Sequence, residues 1–170
     1  MSGALQRRFL RIAHKLRDRW RRWRKTPLEG VSMIARDLDG RVLLVRHSYG
    51  PRAWYFPGGG IRKGETVEQA AARELKEETG CECDGIFLVG QFEEEISGSP
   101  HTAHVVTCVT HDVPKPDRRE VVEARFFPTH SLPEPLSPHT SARLRFFHDP
   151  KNFLTKYERG IYIHLKCFFP

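Results

Sequence analysis

One loop-and-helix segment constrains the fold more than any other part of this 170-residue chain. It begins with a proline and three glycines, Pro57–Gly60, and leads into residues 66–79, where apolar residues recur at helical spacing. Thr66 is a good N-cap with Gln69 three residues later, and Gly80 stands where a left-handed C-cap is expected. The sequence therefore predicts a capped helix that the chain enters from a glycine-rich loop.

The predicted helix carries three glutamates beside its apolar face, which Val67, Ala71 and Leu75 form. The glutamates that fall within an arc of about 100° next to that face are Glu74, Glu77 and Glu78. Like charges at these spacings repel, and a bound divalent cation would remove the repulsion. A solvated acidic face is the alternative interpretation of the helix taken alone. The glycines favour the cation, because they let backbone approach a ligand closely.

The spacing of these residues resembles the 23-residue signature of the Nudix hydrolases. The matching pattern is Gly59-x5-Glu65-x7-Arg73-Glu74-Leu75-x-Glu77-Glu78-x-Gly80-Cys81. Cys81 is the one departure, since the family usually places an aliphatic residue there, and a buried cysteine behaves as a small hydrophobe. The resemblance extends over about residues 28–147, including Asp39–Arg46 and Glu123–Pro128.

The resemblance implies a fold of the α/β class, an α/β/α sandwich with a mixed, partly antiparallel sheet. The signature would form the loop and helix that hold Mg²⁺ or Mn²⁺. The implied metal ligands are Glu74, Glu77, Glu78 and the carbonyl of Gly58. A later glutamate completes the site in several members, for which Glu123 is the first candidate and Glu120 the second. An ion pair between Glu65 and Arg73 would fix the loop against the helix.

The resemblance also implies hydrolysis of a pyrophosphate bond in a nucleoside diphosphate linked to another group, as in a nucleoside triphosphate or nucleotide sugar. The implied catalytic residues are Glu74, Glu77, Glu78 and Arg73. Water would attack phosphorus in line after losing a proton to a glutamate, with Glu74 as the first candidate for that base. The alternatives are a 5′-end RNA pyrophosphohydrolase and a non-catalytic Nudix-fold module that binds nucleotides.

The residues expected to contact substrate are Arg46, Trp54, Gly59 and Gly60. Trp54, or another ring of the aromatic triplet Trp54–Phe56, could stack a base, although aromatic side chains beside a glycine loop also serve as core. Arg46, with His47 and Arg52, could meet phosphates, and solvated loop charge is the alternative. The sequence does not choose between these interpretations.

Residues 1–25 are predicted to form a basic amphipathic helix. They hold ten lysine and arginine residues against the single acid Asp18, and they account for the chain's net charge of +7. The apolar residues at steps of three and four are Leu5, Phe9, Ile12, Leu16, Trp20 and Trp23. This stripe could pack on the domain or on a second subunit as a homodimer, lie on an anionic membrane, or accompany nucleic-acid contact.

The predicted organisation is this arm, a catalytic domain at residues 26–148, and a tail at 149–170 to which the sequence assigns no role. The four cysteines lack the paired spacing of a structural zinc site and are interpreted as free thiols. No apolar run approaches the ~20 residues that span a bilayer, and no secretory signal is visible. We therefore expect a cytoplasmic protein, with the arm as a route to peripheral membrane attachment.

Strands are expected at Val31–Ala35, Val42–Val45, Trp54–Phe56, Ile86–Phe92, Ala103–Thr110 and Glu123–Phe127. An Asp-Gly turn at Asp37–Gly40 is expected to join the first two as a hairpin. A second helix is expected at Thr140–Phe147, and a further strand-like run, Ile161–Phe169, has no place in this arrangement.

Overall fold

The computed structural model describes residues 28–96, 99–116 and 118–144. The predictions for the basic arm at residues 1–25 and for the tail at 149–170 lie outside these residues, as does the predicted helix beyond Leu144. The division of the chain into arm, domain and tail therefore stays a prediction.

Six strands and two helices make up the described part of the chain. The strands are β1 (Leu28–Arg36), β2 (Val42–His47), β3 (Gly58–Gly60), β4 (Asp84–Ile96), β5 (Ser99–Val109) and β6 (Val121–Phe127). The helices are α1 (Val67–Thr79) and α2 (Pro138–Arg143). Neither of these two helices is long and apolar enough to cross a membrane.

The strands form one mixed sheet in the order β4-β5-β1-β2-β6, with β3 pairing to β1. β1 and β5 run parallel, with paired positions from Leu28 opposite His101 to Arg36 opposite Val109. The other strand pairs are antiparallel. The predicted α/β class and the mixed, partly antiparallel sheet are confirmed.

The predicted turn between β1 and β2 is present, and beyond it β2 gives up its place beside β1 to β3. The amide of Gly40, whose φ is 75°, donates to the carbonyl of Asp37. β1 and β2 pair where Arg36 lies opposite Val42. Further along, β3 takes the place beside β1, with Gly58 opposite Ser32 and the two strands antiparallel. The glycine loop is thereby built into the sheet.

Each face of the sheet has its own apolar cluster. The fully buried side chains on the α1 face include Met33, Leu43, Val45, Leu75, Val106 and Val121. The second cluster, on the opposite face, includes Ile34, Leu44, Trp54, Phe56 and Val105, with Leu144 packed against it. These two layers on a central sheet give the expected sandwich and fix α1 across β1 and β3.

The predicted strand Trp54–Phe56 is instead a pair of isolated bridges, from Tyr55 to Val45 and from Trp54 to Leu136. Successive side chains of this segment point to opposite faces, as in a strand. Trp54 and Phe56 belong to the second cluster, whereas Tyr55 packs against the cluster on the α1 face. The strand that follows is the glycine triplet itself.

Local chemistry sets the bounds of α1. The hydroxyl of Thr66 accepts a hydrogen bond from the Gln69 amide, and the Gln69 side chain accepts one from the Thr66 amide, which completes the capping box. Gly80 ends the helix in the left-handed region at φ 72°. Both caps are those that the sequence predicts, so the position of the glutamates along the helix follows from the sequence.

Candidate active site

The backbone of β3 lies directly beneath the acidic side of α1. The amide of Gly58 donates a hydrogen bond of 3.0 Å to Oε2 of Glu78. The Glu78 side chain is 11% exposed, so its carboxylate is largely withdrawn from water. A carboxylate buried at this depth needs hydrogen bonds or a cation to offset its lost hydration. The Gly58 amide supplies one of these interactions.

Gly59 and Glu74 pack so closely that a side chain at position 59 would displace the Glu74 carboxylate. A Cβ atom built on Gly59 would lie 2.5 Å from the carboxyl carbon and from Oε1 of Glu74. The Glu74 side chain is 15% exposed. Burial raises the pKa of Glu74 above its ordinary value, although Arg73 opposes this shift. The glycine thus lets a second, mostly buried carboxylate approach the backbone of the loop.

The predicted ion pair between Glu65 and Arg73 is present and has two hydrogen bonds. Nε and Nη2 of Arg73 donate to the two carboxylate oxygens of Glu65 over 2.7 and 2.8 Å. Nη2 also donates to the carbonyl of Gly60 over 3.0 Å, and Nη1 contacts Oε1 of Glu74 at 2.5 Å. The bonds from Arg73 and the Arg62 amide lower the pKa of Glu65 to about 2. Arg73 therefore ties the loop, the helix and the buried carboxylate together.

Glu77 occupies the solvent side of the same acidic row. Its side chain is 51% exposed and its carboxylate accepts hydrogen bonds from Arg62 over 3.1 Å and from Arg73 over 3.4 Å. The three signature glutamates thus differ in environment: Glu74 and Glu78 face the glycine backbone, whereas Glu77 faces water and two guanidinium groups.

No trio of His, Cys, Asp or Glu side chains among the described residues is already gathered tightly enough to hold a metal ion. The chemistry of the donors nevertheless fits a hard divalent cation, because carboxylate and carbonyl oxygens are its preferred ligands. Glu74 and Glu78 are held against a glycine backbone, and at position 59 only glycine leaves the Glu74 carboxylate where it is. Arginine side chains currently balance Glu74 and Glu77. Glu74 and Glu78, with Gly58 and Glu77, would hold the cation.

The structure does not bring Glu123 to the signature glutamates. Glu123 lies opposite Arg46 in the β2–β6 ladder and forms ion pairs with Arg46 at 2.5 Å and Arg125 at 2.7 Å. The next residue, Ala124, lies beside Val45 in the cluster under α1, so Glu123 points to the other face. Its role as a ligand stays a prediction that this register does not support.

The second candidate, Glu120, is nearer to the acidic side of the sheet. Its carbonyl accepts a hydrogen bond of 2.8 Å from the amide of Ser48, which directly follows His47. Nδ1 of His47 lies 3.9 Å from Oε1 of Glu78. The segment before β6 is thus joined to the strand end that contacts the acidic helix.

The four residues expected to contact substrate fall into two groups. Gly59 and Gly60 lie in β3, within the site. Arg46 and Trp54 lie together elsewhere, with the guanidinium 5.5 Å from the centroid of the indole ring. Trp54 is 7% exposed and packs edge-on against Phe127, so it contributes to the core of the second face. Contact of Arg46 and Trp54 with substrate remains a prediction.

His47 lies beside Glu78 and contacts the rings of Tyr49 and Tyr55; we call these three aromatic side chains the aromatic wall. The sequence singled out Tyr55 only as part of its triplet and His47 only as a phosphate contact. Period-two alternation could have separated Tyr55 from its buried neighbours, whereas the approach of Tyr49 depends on a turn. Cys81, the departure from the family pattern, is fully buried in the cluster under α1, as a small hydrophobe would be.

Curated proteins similar to this chain align with it over only part of their own length. An RNA pyrophosphohydrolase of Teredinibacter turnerae is 46% identical over 59 residues, which are 35% of this chain and 34% of that protein. An oxidized purine nucleoside triphosphate hydrolase of Mus musculus is 33% identical over 96 residues, 55% of this chain and 62% of that protein. The matched stretch thus spans about a third of the first relative and under two thirds of the second.

The fold and the family comparison agree with the geometry of the site. The crystal structure of a MutT NUDIX hydrolase from Burkholderia pseudomallei has a TM-score of 0.64 and 26% identity to this chain, covering 71% of this chain and 97% of that one. The family model described as the NUDIX domain matches residues 26–149. The match includes the glycine loop, the acidic helix and the sheet on which both lie, and so the chain belongs to the Nudix hydrolase family.

Proposed function

We propose that this chain hydrolyses a pyrophosphate bond in a nucleoside diphosphate linked to another group, with Mg²⁺ or Mn²⁺ as its cofactor. The observation that carries the proposal is the convergence of Glu74 and Glu78, both mostly buried, on the backbone of Gly58 and Gly59. Two mostly buried carboxylates of like charge need compensation, which Arg73 supplies in part at Glu74 and the Gly58 amide supplies in part at Glu78. A divalent cation that also binds phosphate oxygens would compensate both and bring the substrate to the site.

Each residue of the site has a role in this proposal. The cation, when bound, neutralises phosphate charge and makes water a better nucleophile. Glu74, Glu78, Glu77 and the carbonyl of Gly58 would hold it. Arg73 positions Glu74 through its contacts to the loop and the helix. Glu74 is the proposed proton acceptor, because its carboxylate lies against the glycine loop within the site, where burial raises its pKa above the ordinary value.

The test is phosphate or pyrophosphate release from a panel of compounds with Mg²⁺, with Mn²⁺ and with chelator. The panel contains nucleoside triphosphates, nucleotide sugars, ADP-ribose, dinucleoside polyphosphates and 5′-triphosphate RNA. Cleavage of at least one class that stops with chelator supports the proposal. Cation and nucleotide binding without turnover would overturn it and favour a non-catalytic nucleotide-binding module.

A pair of variants on α1 separates the site from the general charge of the helix. Glu78→Gln keeps the shape of a mostly buried side chain but removes its charge, and we expect turnover to be lost. Glu68→Gln changes an exposed glutamate in the first turn of the same helix and should leave turnover unchanged. Equal rates in the two variants would show that the acidic site is misassigned.

A 5′-end RNA pyrophosphohydrolase is the second candidate. It is favoured by the 46% identity to a relative named RNA pyrophosphohydrolase and by the ten basic residues within 1–25. If the arm binds RNA, cleavage of 5′-triphosphate RNA will weaken steeply with salt, because phosphate contacts release counterions. Deleting residues 1–25 should then raise KM for RNA and spare small nucleotides. Equal effects of the deletion on both substrates would exclude this role of the arm.

A further inference from the structure

Glu74 and Glu78 form the buried acidic pair of the site, and the aromatic wall lies next to Glu78. The rings of His47 and Tyr49 stack with centroids 5.4 Å apart and an interplanar angle of 24°. The ring of Tyr55 packs against His47 at 5.2 Å with a tilt of 59°. Nδ1 of His47 lies 3.9 Å from Oε1 of Glu78, the carboxylate whose Oε2 accepts from the Gly58 amide. A ligand whose phosphates lie over the acidic pair would therefore have these rings within reach.

The wall is held in place by backbone contacts that do not involve its rings. Tyr55 exchanges two backbone hydrogen bonds of 2.9 Å with Val45. Ser48, between His47 and Tyr49, donates its amide to the Glu120 carbonyl over 2.8 Å and its hydroxyl to the Arg119 carbonyl over 2.6 Å. A surface that is ordered before the ligand arrives loses little conformational entropy on binding.

Partial exposure distinguishes the wall from the aromatic residues that fill the core. Trp54 and Phe56, the neighbours of Tyr55 in sequence, are 7% and 6% exposed and pack in the cluster on the opposite face. All three members of the wall are half-buried, with part of each side chain accessible to solvent. Trp54 and Phe56 are thus used in core packing, whereas each ring of the wall keeps part of its surface accessible to a ligand.

We infer that the aromatic wall binds the nucleobase of the substrate by stacking, with Tyr49 as the ring on which affinity for the base depends. The inference rests on the proposed function, because the acidic pair must hold the diphosphate for the base to reach the wall. Stacking uses the π face that every base presents, so it discriminates weakly between purines and pyrimidines. The wall therefore predicts an enzyme that requires a base but tolerates several.

The test compares a nucleoside triphosphate with ribose 5-triphosphate, which carries the same phosphates without the base. Loss of a stacking ring weakens binding of a base by roughly 5- to 150-fold. Tyr49→Ala should raise KM for the nucleoside triphosphate by that factor, keep kcat within about twofold, and leave both parameters for ribose 5-triphosphate unchanged. Tyr49→Phe, which keeps the ring, should behave as wild type. Phe87→Ala serves as the control, since Phe87 is an exposed aromatic residue on β4.

Equal changes for the two substrates in Tyr49→Ala would overturn the inference, because they would show that the ring only supports Glu78 and its strand. An unchanged KM for the nucleoside triphosphate would overturn it as well. Calorimetric titration with a non-hydrolysable α,β-methylene analogue gives the same comparison without turnover. A wild-type protein that cleaves nothing would contradict the proposed function, while weaker binding of the analogue to Tyr49→Ala would still support the wall.

Discussion

Three successive glycines of β3 meet different surroundings, and alanine at each position should have a different consequence. A Cβ on Gly59 would lie 2.5 Å from the Glu74 carboxyl carbon, whereas ordinary contact begins at 3.4 Å. The carboxylate must therefore move by about 1 Å, and misplacement by 1 Å of a group in an active site costs about a hundredfold in rate. We expect Gly59→Ala to lower kcat/KM by about that factor.

The same substitution should have little effect on stability. The Glu74 carboxylate, which must move, is the end of a flexible side chain, so the strain on the fold is small. Alanine also restricts the unfolded chain more than glycine does, which favours the folded state. We expect the free energy of unfolding to change by less than about 1 kcal/mol, which corresponds to a shift of about 2–4 °C in Tm. Thermal melting followed by circular dichroism, together with steady-state kinetics, measures both quantities on one preparation.

The neighbouring glycines supply the comparison. A Cβ on Gly58 would overlap the backbone carbonyl of Val31, and the φ of 154° there is reserved for glycine, so Gly58→Ala should cost about 3 kcal/mol or more. A Cβ on Gly60 would meet only the Glu29 carbonyl oxygen, at 4.0 Å, so Gly60→Ala should melt as wild type. If Gly59→Ala keeps wild-type kcat/KM, or melts as low as Gly58→Ala, the inferred packing of Glu74 on the loop is wrong.

Further predictions concern the support of α1 and its loop. Leu75→Ala leaves a cavity at a fully buried position under the helix and should lower the free energy of unfolding by about 2–5 kcal/mol in urea titration. A loss of less than about 1 kcal/mol would contradict the packing. Thr66→Ala removes the N-cap and should cost about 1 kcal/mol in the same assay. Arg73 holds the pKa of Glu65 at about 2, below its ordinary 4.5, so this pair stabilises the fold above pH 4.5 and loses its contribution as pH falls toward 2. Glu65→Gln should therefore be less stable than wild type at neutral pH, with the difference vanishing near pH 2; a constant difference would refute the linkage.

The helix and its loop could be predicted from sequence because their determinants are local. Thr66, Gln69 and Gly80 act within a few residues of the helix ends, and the observed bounds match the predicted ones within one residue. The parallel pairing of β1 with β5 was not predicted, since its partners lie about 70 positions apart and no local pattern records the register. The resemblance implied only a mixed, partly antiparallel sheet, and the order of the strands comes from the structure.

The position of Glu123 shows why the sequence alone could not establish which later glutamate lies near the site. Simple alternation along β6 would put Glu123 on the same face as Val121, which is buried under α1. The register with β2 shifts between Arg46 and His47, so one extra residue enters β6 between Val121 and Glu123. Ala124 consequently lies under α1 and Glu123 lies on the opposite face. A bulge depends on the partner strand and is not visible in the sequence of β6 alone.

The proposed divalent-cation site is tested most directly by Mn²⁺ binding to wild type, Glu78→Gln and Glu68→Gln, followed by electron paramagnetic resonance in the absence of substrate. We expect wild type and Glu68→Gln to bind Mn²⁺ alike and Glu78→Gln to bind at least about tenfold more weakly, since a buried charged oxygen ligand is lost. Equal binding by all three proteins would contradict the claim that the glycine loop and the acidic face of α1 form a divalent-cation site.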